Sequence, residues 1–418
     1  MKENIDNPRQ QRGLIIAAVA KITKKNGDWL VPSQSGKGKY KVRLDGAYTR
    51  CSCPDYETNA CKCKHIFAAE YVVQREQNGD GTETVTETVT LTAIKKTTYK
   101  QNWPAYNEAQ TKEKHQFQSL LHDLCGNIQN QVQAKGRPRL PLSDAVFAVT
   151  FKIYSTFSGR RFISDLNDAH AKGYISEVPH FNSIFNYLEN PALTPILTEL
   201  IVQSSLPLKA VEVDFAVDST GFTTSRFVRW FDHKYGVVRQ EHDWVKCHMM
   251  CGVKTNVVTA VEIRDRDASD TKLLPPLVET TAKNFTISEV SADKGYASIN
   301  NTNVVASVGA VPFIAFKSIH TGAGGGLWEK MYHFFRFKRS EFLTHYHKRS
   351  NVESTINMIK AKFRDHVRSK TDVAMKNEVL CKVLCHNICC LISAMYELGI
   401  TPSFMPLDAG QPKGKLAA

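Results

Sequence analysis

From Lys209 onward the chain repeats one pattern: a short alternating run that reads as a strand, followed by a helical run. That repetition constrains the fold more than any other feature, because strands alternating with helices build an α/β sheet. The first run, VEVDFAVDSTGF (Val211 to Phe222), sets Val211, Val213, Phe215 and Val217 on one face. Glu212, Asp214 and Asp218 take the other face. Ser219, Thr220 and Gly221 mark the expected strand exit, which leaves Asp218 near the strand end. FTISEVSADKGYAS (Phe285 to Ser298) is a second short β pattern and ends in Asp293, followed by Lys294 and Gly295. A strand pair, a helix near Asp270 to Thr281, and AVPFIAF (Ala310 to Phe316) complete the series.

Farther along, YHKRSNVESTINMIKAKF carries Tyr346, Arg349, Glu353 and Lys360 at steps of 3, 4 and 7 residues. On one continuous α-helix those steps keep four side chains on one face. Val352, Ile356, Ile359 and Phe363 form an apolar stripe beside them. Taken alone, the run reads as a surface helix with ordinary charges, and each Asp reads as a turn cap. Taken together, two carboxylates at strand ends and a third on a later helix suit a site for two Mg²⁺ ions. Mg²⁺ prefers carboxylate oxygens, and two such ions about 3.5–4 Å apart stabilise both the attacking and the leaving oxygen of a phosphoryl displacement.

The segments VDST, SADKGYAS and YHKRSNVESTINMIK resemble the DDE transposases of bacterial insertion sequences. Their helical signature of Tyr, two residues, Arg, three, Glu, six, Lys is reproduced without a gap by Tyr346, Arg349, Glu353 and Lys360. HDWVKCHMMCGVKTNVVTAVEI (His242 to Ile263) is similar to the strand pair that follows the first acid in that family. The resemblance spans roughly Gln101 to the end of the chain. It implies a ribonuclease-H-like fold, a catalytic triad of Asp218, Asp293 and Glu353 holding two Mg²⁺, and DNA contacts by Tyr346, Arg349 and Lys360. Asp214, on the same strand face as Asp218, is the alternative first acid. Only 60 positions separate Asp293 from Glu353, which leaves no room for the large β insertion some relatives carry there.

Charge agrees with a polyanionic partner. Lys plus Arg is 54 and Asp plus Glu is 41, giving a formal net charge of +13. Nucleic acid is the commonest such partner for a basic soluble chain, although charge alone does not separate it from an anionic membrane. No run reaches the ~18 apolar residues of a membrane span. LIIAAVA (Leu14 to Ala20) is at the minimum length of a secretory apolar core and has Glu3 and Asp6 upstream, so it reads as an amphipathic helix rather than a signal peptide. Eleven cysteines, four of them within thirteen residues, point to a reducing compartment and a metal cluster rather than a disulfide framework. Cys381, Cys385, Cys389 and Cys390 sit at helical spacing among Val, Leu and Ile and read as small core residues.

The crowded four include a ligand set. In RCSCPDYETNACKCKHIFA, Cys51, Cys53, Cys63 and His65 make three thiolates and one imidazole, a closed tetrahedral set for structural Zn²⁺. YKVRLDGAYTR (Tyr40 to Arg50) supplies a hairpin with a turn at Asp45-Gly46, and HIFAAEYVV supplies a helix. Cys61, two residues from Cys63, is a competing ligand. Cys-Pro-Asp-Tyr and Cys-Lys-His-Ile-Phe-Ala make the segment similar to the SWIM zinc-binding domain, and that resemblance favours Cys63 paired with His65. Such domains bind DNA or protein; Lys37, Lys39, Lys41, Arg43, Arg50, Lys62 and Lys64 tilt this one toward DNA.

The expected organisation is a zinc-binding α+β module at 1–80, a linker at 81–112 and a helical domain at 113–207. The ribonuclease-H-like α/β domain follows at 208–396, with a tail at 397–418. Within the helical part Ser143 reads as a cap and Pro179 as a helix opener. Two readings are open for it: a helix-turn-helix that reads DNA ends, or a layer that packs on the catalytic domain. The expected function is a DNA transposase that cuts at terminal inverted repeats and joins the 3′-hydroxyl to target DNA, as a homodimer in the synaptic complex. The location would be the bacterial cytoplasm, with no membrane partner. A zinc-containing DNA-binding regulator without chemistry and a metal-dependent nuclease without strand transfer are the rivals.

Overall fold

The computed structural model describes residues 8–34, 38–45, 48–59, 61–77, 102–129, 140–224, 244–264 and 269–404. The chain divides into two compact units, Met1–Thr98 and Tyr99–Ala418. In the first, helix α1 (Pro8–Val19) precedes an antiparallel sheet of β1 (Thr23–Lys25), β2 (Asp28–Pro32), β3 (Lys39–Asp45) and β4 (Tyr48–Cys51), in that order. Helices α2 (Pro54–Asn59) and α3 (Lys64–Gln77) follow. α1 packs on α3 so closely that a Cβ at Gly13 would stand 2.5 Å from Phe67 Cβ, so the contact needs glycine. Trp29, Val31, Val42 and Ile66 fill the core between sheet and helices. β3 and β4 form the expected hairpin, with Asp45 paired to Tyr48; its turn lies outside the described residues.

The second unit opens with helices α4 (Trp103–Cys125), α5 (Leu142–Ser155), α6 (Gly159–Ala171), α7 (Phe181–Leu188) and α8 (Leu193–Ser205). α4 begins inside the stretch expected to be linker, while 78–101 lies outside the described residues. Ser143 is not the cap of α5: the helix starts after Pro141, and the Ser143 hydroxyl donates to Asp144 instead.

A mixed sheet follows, built from β5 (Asp214–Thr224), β6 (Trp244–Gly252), β7 (Val258–Arg264), β8 (Glu289–Ala292) and β9 (Val311–Ile314). Its order is β7-β6-β5-β8-β9. β5, β6 and β7 are antiparallel neighbours; β8 runs parallel to β5, and β9 parallel to β8. Helices α9 (Leu274–Ala282), α10 (Ile299–Ser307), α11 (Gly326–Phe337), α12 (Arg339–Tyr346), α13 (Ser350–Phe363) and α14 (Asp372–Leu398) lie between and after these strands. The arrangement is consistent with a ribonuclease-H-like sheet. Between Asp293 and Glu353 the chain holds helices, one strand and turns, with no β insertion.

Helices cover both faces. Phe215, Val217, Met250 and Ala260 pack with α9 to α12 on one side. Ala216, Phe222, Cys247, Met249 and Cys251 pack on the other, in one core with α4 to α8, α13 and α14. Helices α4 to α8 therefore form a layer that shares its core with the sheet. This double cover explains a departure from simple alternation: the face of β5 expected to be polar is apolar at Ala216 and Phe222. Glu212, outside the strand, is buried against Gly252 and accepts from the Lys254 and Thr255 amides. α14 is long and apolar enough to cross a membrane, yet 78% of its most apolar window is buried inside the fold, as in a core helix. Cys381, Cys385 and Cys390 are buried there among aliphatic residues.

Candidate active site and metal centre

The register of two parallel strands builds the carboxylate site. Val217 of β5 pairs with Ala292 of β8, so the next residues, Asp218 and Asp293, stand side by side at about the 4.8 Å spacing of neighbouring strands. β8 stops there, while β5 runs on to Thr224. Asp218 is thus not at a strand exit, as its sequence context suggested; it sits mid-strand, where the strand beside it ends. The short strand β10 (His366–Val367) takes up pairing again only at Thr223 and Thr224. Residues 218 to 221 therefore face a notch in the sheet and are only partly buried.

Across the notch lies the Tyr346-to-Lys360 segment, and it is not one helix. Tyr346 ends α12, a 3₁₀ turn spans His347–Arg349, and α13 begins at Ser350. The turn aims Arg349 into the notch. Its Nη1 donates to Asp218 Oδ2 at 3.2 Å, and its Nη2 pairs with Glu353 Oε1 at 2.6 Å. Glu353 is half-exposed, so it faces the notch rather than the interior. Arg349 lies 5.9 Å from the ring centre of Tyr346, which is itself half-buried against Phe342. Lys360 sits two turns beyond Glu353 on α13, its ammonium 5.6 Å from the Phe222 ring centre.

Burial raises the Asp218 carboxyl above its ordinary range. The Ser219 amide and Arg349 pull it down, and the charges of Asp293 and Glu353 push it up. The three acids thus share one electrostatic site. Hard carboxylate oxygens suit Mg²⁺. The Arg349 guanidinium bridges Asp218 and Glu353, so positive charge already sits among these acids. The acids are not closed onto one another: among the described residues, the set whose ligand atoms all gather within 4.8 Å is the sulfur–imidazole one.

Asp214, the alternative first acid, is held elsewhere. It pairs in register with Glu289 at the far end of β8, and Lys348 clamps both carboxylates at 2.7 Å. Sequence reading missed Asp270 altogether. Its carboxylate meets Lys246 at 2.6 Å and the Ser219 hydroxyl at 3.4 Å, and Gly295 stands between it and Asp293. Behind it, buried His248 lies 3.3 Å from the Tyr296 hydroxyl and is pushed down to about 4 by burial. Thr271 ties the Asp293 turn down by donating to Gly295 O. No motif marks Asp270; only the fold brings it to the notch.

In the first unit, Cys51 at the end of β4, Cys53, Cys63 and His65 at the start of α3 converge, with all ligand atoms within 4.8 Å and all four residues buried. A tetrahedral Zn²⁺ with bonds of about 2.3 Å needs ligand separations slightly under 4 Å. Cys63 Sγ and His65 Nδ1 are 3.9 Å apart, and His65 Nε2 is buried without a hydrogen-bond partner among the described residues. The Cys63 thiol is held down, chiefly by its hydrogen bond with Cys51, whose own thiol is pushed up. The donor set and its spacing fit zinc. Cys61 does not compete, because its sulfur turns to Arg9 at 3.1 Å. Arg9 also grips Asp55 at 2.8 Å.

Residues 209–388 match the family model described as the transposase DDE domain. Over that span the chain carries a DDE transposase domain. Comparison with curated proteins and with solved structures gave no match.

Proposed function

We propose that the protein is a DNA transposase of an insertion element. It cuts at the element's terminal inverted repeats and joins the freed 3′-hydroxyl to target DNA. The observation that carries this reading is the β5–β8 register, with Asp218 beside Asp293 and the Arg349–Glu353 pair across the notch. Asp218, Asp293 and Glu353 are the proposed catalytic acids and would hold two Mg²⁺. Those ions supply Lewis-acid stabilisation of the attacking and leaving oxygens. Asp218 and Asp293, fixed by strand pairing, bring carboxylate oxygens to one place with little reorganisation. Glu353, on a helix start, adjusts from the other side.

Arg349 balances the acids and, once another cation does so, turns to a phosphate at the element end with two hydrogen bonds. Lys360 grips a neighbouring phosphate, and Tyr346 orients a phosphate or stacks on a displaced base. The domain is of the ribonuclease-H-like type, supported on one side by the helical layer. The SWIM-like unit, with Zn²⁺ on Cys51, Cys53, Cys63 and His65, folds around its metal and adds affinity for the element end or for a partner subunit. Two DNA ends handled together imply a homodimer in the synaptic complex, in the bacterial cytoplasm at the nucleoid, with no membrane partner.

The test is an assay of the full chain with Mg²⁺, a labelled terminal inverted repeat and a target plasmid. Joined products support the reading. Cuts without joining make the protein a nuclease, and binding alone makes it a regulator.

A further inference from the structure

A second charged cluster lies apart from the three carboxylates. The end of α5, the β10 segment and α14 enclose a small pocket lined by Lys152, Arg364, Arg368, Lys382, Thr156 and Glu378. Four cations there face one carboxylate. Glu378 is already engaged, accepting from the Arg368 amide at 3.0 and 3.1 Å and from the Ser369 amide at 2.8 Å. Lys382 is spent on the Arg364 and His366 carbonyls at 3.2 and 2.6 Å. Arg364 and Arg368 both turn to a single acceptor, the Thr156 carbonyl, at 3.3 and 3.5 Å. Lys152 is 5% exposed, and its ammonium lies 6.0 Å from the Phe162 ring centre. Asp365, nearby, is exposed and turned to His366 at 3.0 Å.

Such an arrangement costs stability. Burial first, and then the charges of Arg368 and Arg364, hold the Lys152 ammonium down to about 8, with Glu378 offsetting them in part. Arg364 has a φ of 76° and a ψ of 148°. A side chain is strained in that region, and such strain tends to collect at functional sites. An arriving anion offsets the repulsion among the cations. The cavity holds about 20 Å³, room for one water-sized group. That fits one oxygen of a phosphate whose bulk stays outside. The pocket also adjoins a residue of the proposed DNA path: the Lys382 and Lys360 ammoniums share the Phe222 ring, at 5.2 and 5.6 Å from its centre.

We propose that this pocket binds a non-bridging phosphate oxygen of a DNA backbone, anchoring the duplex beyond Lys360 and outside the carboxylate site. The proposal rests on the DNA reading above. Lys152 forms its floor, and Arg364 and Arg368 form its rim.

The experiment uses the full chain with zinc retained and no Mg²⁺, as wild type, Lys152→Met and Arg368→Gln. Binding to a labelled duplex is followed by anisotropy across a salt series. Melting is followed in phosphate and in chloride at equal ionic strength. Wild type should be protected by phosphate and both variants should lose that protection. Each variant should bind the duplex several-fold more weakly, with the slope of log affinity against log salt reduced by about one. Lys152→Met should melt at or above the wild-type temperature without phosphate, because it removes a repelled charge, so weak binding is not misfolding. Loss of phosphate protection with unchanged duplex affinity and slope overturns the DNA assignment and leaves a site for free phosphate. Unchanged behaviour in both arms overturns the pocket. A wild type that binds no duplex refutes the DNA reading of the whole protein, while the phosphate arm still shows whether the pocket takes an anion.

Discussion

Replacing Arg349 by Met tests the claim that a guanidinium fills the cation position of the carboxylate site. The side chain makes two charged contacts, to Asp218 at 3.2 Å and to Glu353 at 2.6 Å. Asp218 is 21% exposed, so its bond belongs near the low end for a charged hydrogen bond, about 1.5 kcal/mol. Glu353 is 51% exposed, and such pairs contribute about 0.5 kcal/mol. Without Mg²⁺ the variant should therefore lose about 2 kcal/mol. In a unit of some 320 residues that is a fall in Tm of roughly 3 °C. With Arg349 gone, the acids have no internal cation to release, so Mg²⁺ should bind about tenfold more tightly, which corresponds to ~1.4 kcal/mol. Calorimetric melting in Mg²⁺-free buffer and isothermal titration with Mg²⁺ measure the two effects, and cutting should fall at the same time. A variant that melts like wild type and binds Mg²⁺ no better would refute the reasoning.

Three further outcomes are expected. Asp293→Ala or Glu353→Gln should abolish cutting while leaving affinity for the terminal repeat within a few-fold, as read by gel cleavage and anisotropy; normal cutting by either would remove it from the site. Cys63→Ser, or a zinc chelator, should erase the melting transition of the first unit in the full chain and leave that of residues 99–418 unchanged, because the metal supplies about 10 kcal/mol or more to such a fold. Lys152 falls from an ordinary 10.5 to about 8 in the folded chain. The unfolded chain therefore binds more protons between those values, and stability should rise with pH across that window by up to about 3 kcal/mol. Lys152→Met should flatten that rise in denaturant titrations at pH 7.5 to 10.5, and an unchanged slope would place the charge elsewhere.

Much of the fold was legible because its signals are local. Alternation in 211–222 marked β5, and a series of strands and helices after Lys209 marked the mixed sheet. Cys-x-Cys and Cys-x-His, on a hairpin end and a helix start, marked a tetrahedral ligand set. The extent of β5 was less legible, because Ser219, Thr220 and Gly221 carry turn propensity that pairing with β6 overrides. The helical spacing of Tyr346 to Lys360 also misled, since a 3₁₀ turn at 347–349 keeps nearly the same spacing while redirecting Arg349.

By itself the sequence determined which residues are acidic and that strands and helices alternate after Lys209, with Asp218 on a strand, Asp293 just past one and Glu353 on a helix. Tertiary structure alone decided that Asp214 is clamped by Lys348, that Asp270 joins the notch, and that Lys152 meets Arg364 and Arg368 in one pocket. The physical reason is range. Backbone propensity and periodicity act over a few residues, whereas strand register and the packing of α5 against α14 join positions tens to hundreds of residues apart, and charges meet only where that packing puts them.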